Sequence, residues 1–274
     1  NAALDQAENE LAQAEEQGGE ESIAGADGTA IKLWNVATGQ ELQTLEGSQL
    51  GVDSVAFSAD GKLLAVGSSD NTVVLWEIRT REQARVLRGH VAAVSAVAVS
   101  GDDKVLASGL AAGIAGILRN DPIKIWDPVT GQLVRSLRGK NSGHSIGLSA
   151  DGARLVSGSS LWNVSQPEAE RKISAARGSR FVPDRVALSS DGKLIAGGGR
   201  DNAIKLWDAG TGRELFTLTG HRKSIRDLAF SPDNKLLASA SQDADIKLWS
   251  VATGQELKTL TAHAGGVIAI VFSF

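Results

Sequence analysis

The sequence predicts an all-β protein assembled from repeated units of four short strands. Its six tryptophans recur along 274 residues at intervals of 42, 50, 36, 45 and 42 residues. Their flanks recur as well, as AIKLWNVATGQELQTL at 30–45 and DIKLWSVATGQELKTL at 245–260 show. Self-similarity at a fixed period indicates a repeat architecture, in which each unit buries its apolar face against its neighbours.

A second motif recurs between the tryptophans and predicts two strands joined by a tight turn. It reads VAFSADGKLLAVGS at 55–68, VALSSDGKLIAGGG at 186–199 and LAFSPDNKLLASAS at 228–241. Val, Ile, Leu and Ala suit strands, and Ser-x-Asp-Gly suits a turn whose Asp side chain bonds the backbone. The tryptophan strand and the strand after the following Thr-Gly complete the unit. One period therefore has four strands, the content of a propeller blade.

These segments resemble WD repeats, with Gly-His, then Ser-Pro-Asp-Gly, then Leu-Trp-Asp at a period near 42 residues. The resemblance covers residues 21–274, although a strict Trp-Asp pair occurs only at Trp126 and Trp207. It implies a closed β-propeller of four-stranded blades. The near-identical Thr-Gly-Gln-Glu-Leu segments resemble bacterial arrays of such repeats, so we expect a bacterial source.

The two ends of the repeat region complete one blade between them. Residues 265–274 match only the innermost strand of a blade, and residues 22–45 match the other three strands. We therefore expect the C-terminal strand to pair with the N-terminal blade, which leaves no unpaired sheet edge at the seam. The predicted count is six blades, one for each tryptophan.

The Trp162 blade departs from this pattern. In the last complete repeat Ser239 precedes its tryptophan by ten residues, whereas the matching Ser157 precedes Trp162 by five. Five residues are too few for two strand ends and a turn. Either this blade is truncated, or a segment is missing between residues 160 and 161 and a seventh blade is possible.

The preceding blade departs in the opposite direction. Trp126 follows Ser108 by 18 residues, and the excess lies in the apolar, Gly-rich stretch at 109–122. We interpret this stretch as an insertion in a loop, either flexible or in contact with a partner.

Charge and composition restrict the partner classes. The net charge of −4 includes seven acids and no Lys or Arg in residues 1–21, so the remaining chain has 25 acids against 28 bases. A nearly neutral body argues against nucleic acid as a partner. No apolar run approaches the roughly 20 residues that span a membrane. Cysteine is absent, which fits a reducing compartment, and we expect a cytoplasmic location.

Residues 1–20 form a separate segment before the propeller. Residues 2–17 are rich in helix formers, and Leu4, Ala7, Leu11 and Ala14 have heptad spacing. We interpret the segment as the end of an upstream helical region in a larger multidomain protein. Self-association through residues 1–17 is the alternative.

The family resemblance assigns most histidines to structure. A His in the Gly-His position joins a buried network with Ser, Asp and Trp. Carried over, the complete set is His221, Ser239, Asp243 and Trp249, and the partial set is His90, Ser108 and Trp126. The sequence GHSIG at 143–147 matches the Gly-x-Ser-x-Gly motif of hydrolases. That motif requires a helix after the serine, whereas this segment leads into a predicted strand. We predict no catalytic, cofactor-binding or metal-binding residues.

The resemblance also implies that partners dock on the top face, around the central opening. Equivalent positions near the start of the inner strands are Asp53, Ser95, His144, Asp184, Arg226 and Ile268. Ser69, Arg200 and Gln242 directly precede the turn Asp of their blades. Their mixed charges favour a protein or peptide partner.

The leading functional hypothesis is a non-catalytic protein-binding scaffold. A small-molecule-binding or enzymatic propeller that uses the central channel is one alternative. A designed or consensus-like propeller is another, since Met, Cys and Tyr are all absent.

Overall fold

A computed structural model describes residues 22–27, 30–35, 41–46, 50–110, 123–137, 145–166, 171–172, 183–261, 266 and 270. Within these ranges the regular elements are 23 β-strands in six sheets, here numbered I to VI in chain order. Neighbouring strands in each sheet are consecutive in the chain and pair antiparallel. No helix in the described ranges has the length and apolar character needed to cross a membrane.

The first three sheets contain strands β1 to β11. Sheet I consists of β1 (Ser22–Asp27), β2 (Ala30–Asn35) and β3 (Glu41–Glu46). Sheet II consists of β4 (Val52–Phe57), β5 (Leu63–Ser68), β6 (Thr72–Glu77) and β7 (Glu82–Arg88). Sheet III consists of β8 (Val94–Val99), β9 (Leu106–Leu110), β10 (Ile123–Trp126) and β11 (Leu133–Leu137).

The last three sheets contain strands β12 to β23. Sheet IV consists of β12 (Ile146–Leu148), β13 (Arg154–Ser157), β14 (Ser160–Asn163) and β15 (Arg171–Lys172). Sheet V consists of β16 (Arg185–Leu188), β17 (Leu194–Gly198), β18 (Ile204–Asp208) and β19 (Glu214–Leu218). Sheet VI consists of β20 (Ile225–Phe230), β21 (Leu236–Ser241), β22 (Ile246–Ser250) and β23 (Glu256–Leu260).

The Ser-x-Asp turns join the first and second strands of sheets II to VI. In sheet VI the Ser231 hydroxyl donates to Asp233 at 2.6 Å and accepts the Leu236 N–H at 3.0 Å. The next residue takes a left-handed conformation, with φ of 67° at Gly192 and 58° at Asn234, which favours Gly or Asn there. We call this end of every sheet the turn end. The opposite end, where the second and third strands meet, is the loop end.

In the part of the chain that the structure describes, the apolar core forms five clusters, and each cluster lies between two consecutive sheets. The tryptophan of each later sheet packs against the sheet before it. Trp249 of sheet VI, for example, shares a cluster with Ile204, Leu206 and Leu218 of sheet V. The clusters therefore link sheets I to VI in chain order, as neighbouring blades of a propeller pack. These features confirm the predicted all-β fold of six repeated sheets.

Sheet IV corrects the interpretation of the Trp162 repeat. Ser157 pairs with Ser160 across a two-residue turn, and Gly158 in that turn has a φ of 53°. Leu155 pairs with Trp162, as Leu237 pairs with Trp249 in sheet VI. Five residues therefore do suffice, because the hairpin is shortened at its loop end and the tryptophan keeps its register. No missing segment is needed to build this sheet.

The C-terminal residues that the structure describes lie beside sheet VI. The backbone N–H of Ile270 donates to Asp227 Oδ2 of β20 at 2.9 Å. Among the described residues, sheet I has three strands, β1 to β3. Pairing of residues 265–274 with sheet I lies outside the described residues, so closure stays a prediction. The N-terminal segment 1–20 and residues 111–122 of the predicted insertion also lie outside them.

Candidate interaction surface at the loop end

A buried polar network connects His221 to the tryptophan of sheet VI. His221 Nδ1 lies 3.0 Å from Asp243 Oδ2, and His221 Nε2 lies 2.8 Å from Ser239 Oγ. Trp249 Nε1 donates to the same Ser239 Oγ at 2.8 Å. When His221 Nδ1 donates to the Asp243 carboxylate, His221 Nε2 accepts the hydroxyl proton of Ser239. Each of these side-chain polar groups then has a hydrogen-bond partner within the network. The four residues thereby join the loop end of sheet VI to its core.

Hydrogen bonds keep Asp243 ionised inside this network. Burial opposes ionisation, but the backbone N–H groups of Arg222 and Asp245 and the His221 ring outweigh it and lower the pKa of Asp243 to about 2. The arrangement is unsuited to hydrolysis, because Ser239 is completely buried and its hydroxyl already serves two neighbours. Its chemistry is that of a structural clamp.

Sheet III contains a smaller version of the same network. His90 Nε2 lies 2.7 Å from Ser108 Oγ, and Trp126 Nε1 donates to that oxygen at 2.7 Å. The His90 and Trp126 rings meet nearly edge to face, with centroids 6.3 Å apart. The displaced Asp121 lies outside the described residues.

Sheets II and V have no serine hydroxyl at the position of Ser239. Val66 occupies the Ser239 position in sheet II, and Trp76 Nε1 is buried there without a hydrogen-bond partner among the described residues. Gly197 occupies the position in sheet V, where an added Cβ would lie 2.9 Å from the Trp207 ring. The network therefore distinguishes sheets III and VI from sheets II and V.

The predicted partner-binding residues meet in pairs at the loop end. The Ser69 hydroxyl donates to Asp53 Oδ2 at 2.6 Å in sheet II. Arg200 Nε lies 3.3 Å from Asp184 Oδ2 at the equivalent place in sheet V. In both sheets a residue near the start of the inner strand contacts a residue of the connection between the second and third strands. That residue directly precedes Asp70 in sheet II and Asp201 in sheet V. The two sequence-predicted sets thus form one surface on these sheets.

The remaining predicted positions are distributed as follows. Gln242 is exposed in sheet VI, Arg226 is half-buried on its inner strand, and Ser95 is half-buried in sheet III. His144 and Ile268 lie outside the described residues. Each described position thus lies at the loop end.

Sequence reasoning missed a set of contacts between consecutive inner strands. The Val97 N–H donates to Ser54 Oγ at 3.2 Å, just as the Ile270 N–H donates to Asp227 at the equivalent position. Ser145, the serine of the GHSIG segment, donates to the Val186 carbonyl at 3.0 Å. This bond and the strand that follows explain the serine as a structural residue.

Arg185 and Asp227 make such contacts through charged side chains, each of which bonds a backbone group of the next repeat. Arg185 Nε donates to the Arg226 carbonyl at 2.7 Å. Burial raises the pKa of Asp227, although the N–H groups of Ile270 and Leu228 and the charge of Arg185 oppose the shift. No signal in one repeat could have revealed these partners, because each lies on the next repeat.

A metal centre and a ligand pocket are the other kinds of site that the described ranges could contain. No group of three or more His, Cys, Asp or Glu residues there has the geometry of a metal site. A depression of about 420 Å³ lies at the turn end between sheets III and IV. Lys104, Val134, Arg135 and Asp151 contribute to its lining, but none of the predicted partner-binding residues does.

Curated relatives match parts of the chain. It is 34% identical over 136 residues to "Nuclear distribution protein PAC1-2" of Uncinocarpus reesii, a match that covers 40% of this chain and 29% of the relative. It is 30% identical over 137 residues to "Nuclear distribution protein nudF" of Aspergillus niger, covering 40% of this chain and 30% of the relative. The chain therefore spans under a third of these fungal relatives.

A shorter match is to "U3 small nucleolar RNA-interacting protein 2" of Homo sapiens, 44% identical over 43 residues, 16% of this chain and 9% of the relative. The expectation of a bacterial source is wrong by these comparisons, since the relatives are fungal and mammalian. Near-identical Thr-Gly-Gln-Glu-Leu segments reflect the turn and outer strand that each repeat needs, and they do not identify the source.

The family comparison agrees with the repeats of the structure. The WD domain, G-beta repeat (WD40) family matches residues 39–77, 81–114, 183–208 and 212–250, together half of the chain. Three of the matches begin with the outer strand of one sheet and continue through the inner strands of the next, and the match at 183–208 contains the first three strands of sheet V. Every match contains a Ser-x-Asp turn. The chain belongs to the WD40-repeat family.

Proposed function

We propose that this protein is a non-catalytic scaffold that holds protein or peptide partners on its loop end. The observation that carries the proposal is the repeated pairing of polar side chains there, Asp53 with Ser69 and Asp184 with Arg200. These pairs present exposed or half-buried polar groups at equivalent places on different sheets. A rigid array of this kind offers several contact points without a catalytic centre, and its family membership supports a binding role.

The opposite end of the sheets is a less suitable surface. Lys62, Lys193 and Lys235 are each paired with the Asp two residues earlier, at 2.9 to 3.3 Å. Such pairs recur at the turns of sheets II, III, V and VI. They serve turn geometry, since the same Asp side chains accept backbone N–H groups. The loop end varies from sheet to sheet, as recognition of a particular partner requires.

Affinity capture with the tagged full chain tests the proposal. The loop-end variant combines Asp53→Ala with Arg226→Ala, and the matched turn-end control combines Lys62→Ala with Lys193→Ala. We expect the wild type and the control to recover the same proteins from an extract of the source organism, and the loop-end variant to lose them by about tenfold. Equal recovery of every protein by all three forms would refute the proposed surface.

We also propose that residues 265–274 close the ring as the inner strand of sheet I. The hydrogen bond from Ile270 to Asp227 supports this, because it repeats the contact that Val97 makes with the inner strand of the preceding sheet. Sheet I supplies the three strands that such a blade still requires. Closure would give the loop end a fixed shape.

A further inference from the structure

The loop ends of sheets V and VI are joined by hydrogen bonds. The Ile225 N–H donates to the Gly199 carbonyl at 3.0 Å, and Asn202 Nδ2 donates to the Arg222 carbonyl at 3.1 Å. Arg185 of sheet V reaches the Arg226 carbonyl of sheet VI at 2.7 Å. These bonds bring the basic residues of both loop ends onto one surface. We name it the V–VI seam: Arg185, Arg200, Arg222, Lys223 and Arg226.

The ion pairs of the seam leave their cations facing solvent. The Arg200 side chain is 87% exposed and its partner Asp184 is 37% exposed. The Arg222 side chain is 73% exposed, whereas its partner Asp245 is only 9% exposed. In both pairs the guanidinium group is therefore more exposed to solvent than the carboxylate. Each guanidinium has five N–H donors, so most of them are available to a second acceptor.

Two further cations of the seam have no acidic partner among the described residues. Lys223 is exposed and Arg226 is half-buried. Asp243 is held inside the network with His221, and Asp227 is engaged by the Ile270 N–H. Asp201 is the remaining exposed carboxylate on the described loop segments of these two sheets. Solvent therefore meets more positive than negative groups on the seam.

Sheet II does not share the positive character of the seam. In sheet II the equivalent segments, 50–54 and 68–72, contain Asp53 and Asp70 and no Lys or Arg. A ligand with uniform negative charge is therefore favoured at the seam and disfavoured at sheet II. Such polarity sets both the place and the orientation of a bound chain.

Acidic peptide fits this surface better than nucleic acid does. Single-stranded nucleic acid binding relies on aromatic stacking, and segments 183–185, 199–203, 220–226 and 242–245 contain no Phe, Tyr or Trp. Guanidinium forks bind carboxylates in a bidentate geometry. We infer that the V–VI seam binds an acidic segment of a partner protein, with two or more carboxylates, through Arg200, Lys223 and Arg226. This inference rests on the proposed scaffold function and specifies the chemistry of its ligand.

Fluorescence anisotropy with the full chain tests the inference. The probe is fluorescein-labelled hexaglutamate, and the matched neutral probe is hexaglutamine. We expect hexaglutamate to bind at least about tenfold more tightly, and its affinity to fall as NaCl rises from about 50 to about 300 mM. Equal binding of the two probes would overturn the inference.

Charge-reversal variants locate the site. Lys223→Glu with Arg226→Glu is expected to weaken hexaglutamate binding by about tenfold or more. The turn-end control, Lys62→Glu with Lys193→Glu, changes the net charge equally and is expected to weaken it less than about twofold. Equal losses in both variants contradict a site at the seam. Lys223→Gln with Arg226→Gln replaces the first variant if its thermal unfolding shows that it does not fold.

Two outcomes separate this inference from the proposed function. If a uridine 12-mer competes more strongly than hexaglutamate and depends on the same two residues, the seam is a nucleic-acid surface and the inference fails. If the loop-end variant loses captured proteins while hexaglutamate binds no better than hexaglutamine, the scaffold function stands and the acidic ligand is wrong.

Discussion

Removing one hydroxyl should destabilise sheet VI far more than its size indicates. Ser239 is completely buried, and its Oγ lies 2.8 Å from both His221 Nε2 and Trp249 Nε1. Ser239→Ala leaves both nitrogens without their partner in a site closed to water. An unsatisfied buried polar group costs about 1–3 kcal/mol, so the expected loss is about 2–6 kcal/mol for the two nitrogens.

The matched control is Ser157→Ala, at the same register position in sheet IV. Within the described ranges the Ser157 hydroxyl makes one hydrogen bond, to the Ser145 carbonyl at 3.0 Å. Its loss is expected to cost about 1 kcal/mol. Urea unfolding followed by tryptophan fluorescence measures both variants, with coincident circular dichroism as the two-state test. If Ser239→Ala loses no more stability than Ser157→Ala, the network does not clamp the sheet.

Three other perturbations have defined outcomes. Since the pKa of Asp243 is lowered to about 2 in the folded state, its contribution of about 2 kcal/mol to the free energy of unfolding is complete above pH ~4 and is lost as the pH falls through 2. Asp243→Asn should remove that part of the pH dependence of the stability measured in urea. An unchanged profile contradicts the assignment. Gly158→Ala strains a turn with φ of 53° and should cost about 1 kcal/mol, whereas Gly210→Ala, which has room for a Cβ, should cost less in the same assay. Deleting residues 265–274 should lower the melting temperature by several degrees or more, because Asp227 loses its Ile270 partner and sheet I loses its proposed inner strand. An unaltered melting curve in calorimetry argues against closure.

The repetition in the sequence predicts the sheets well because each strand is set by local chemistry. Trp249 and Trp207 mark third strands with the same register, and Ser231 and Asp233 close the turn that their spacing predicts. The hairpin before Trp162 is shorter than the repeat spacing predicts, because the repeat does not fix the length of the connection between two strands. A glycine with positive φ allows a two-residue connection and preserves the pairing of the tryptophan.

Contacts between sheets were the part that the sequence could not predict. Asp227 bonds a backbone N–H 43 residues away, and Asp103 accepts the N–H groups of Ala59 and Asp60 at 2.6 and 3.0 Å. These partners are backbone groups of a neighbouring repeat, which carry no residue signature. The loop-end pairs were predictable as positions, but the charge balance of the V–VI seam depends on burial: Asp245 is covered while Arg222 is exposed.

Site-specific photo-crosslinking decides between the two ends of the molecule. A benzophenone amino acid replaces Ser69 or Gln242 at the loop end, or Lys62 or Lys193 at the turn end, in the tagged full chain exposed to an extract of the source organism. If the loop end is the interaction surface, both loop-end positions yield adducts with the same partner proteins and the turn-end positions yield few. Adducts of equal yield and identity from both ends, or from the turn end alone, would contradict it.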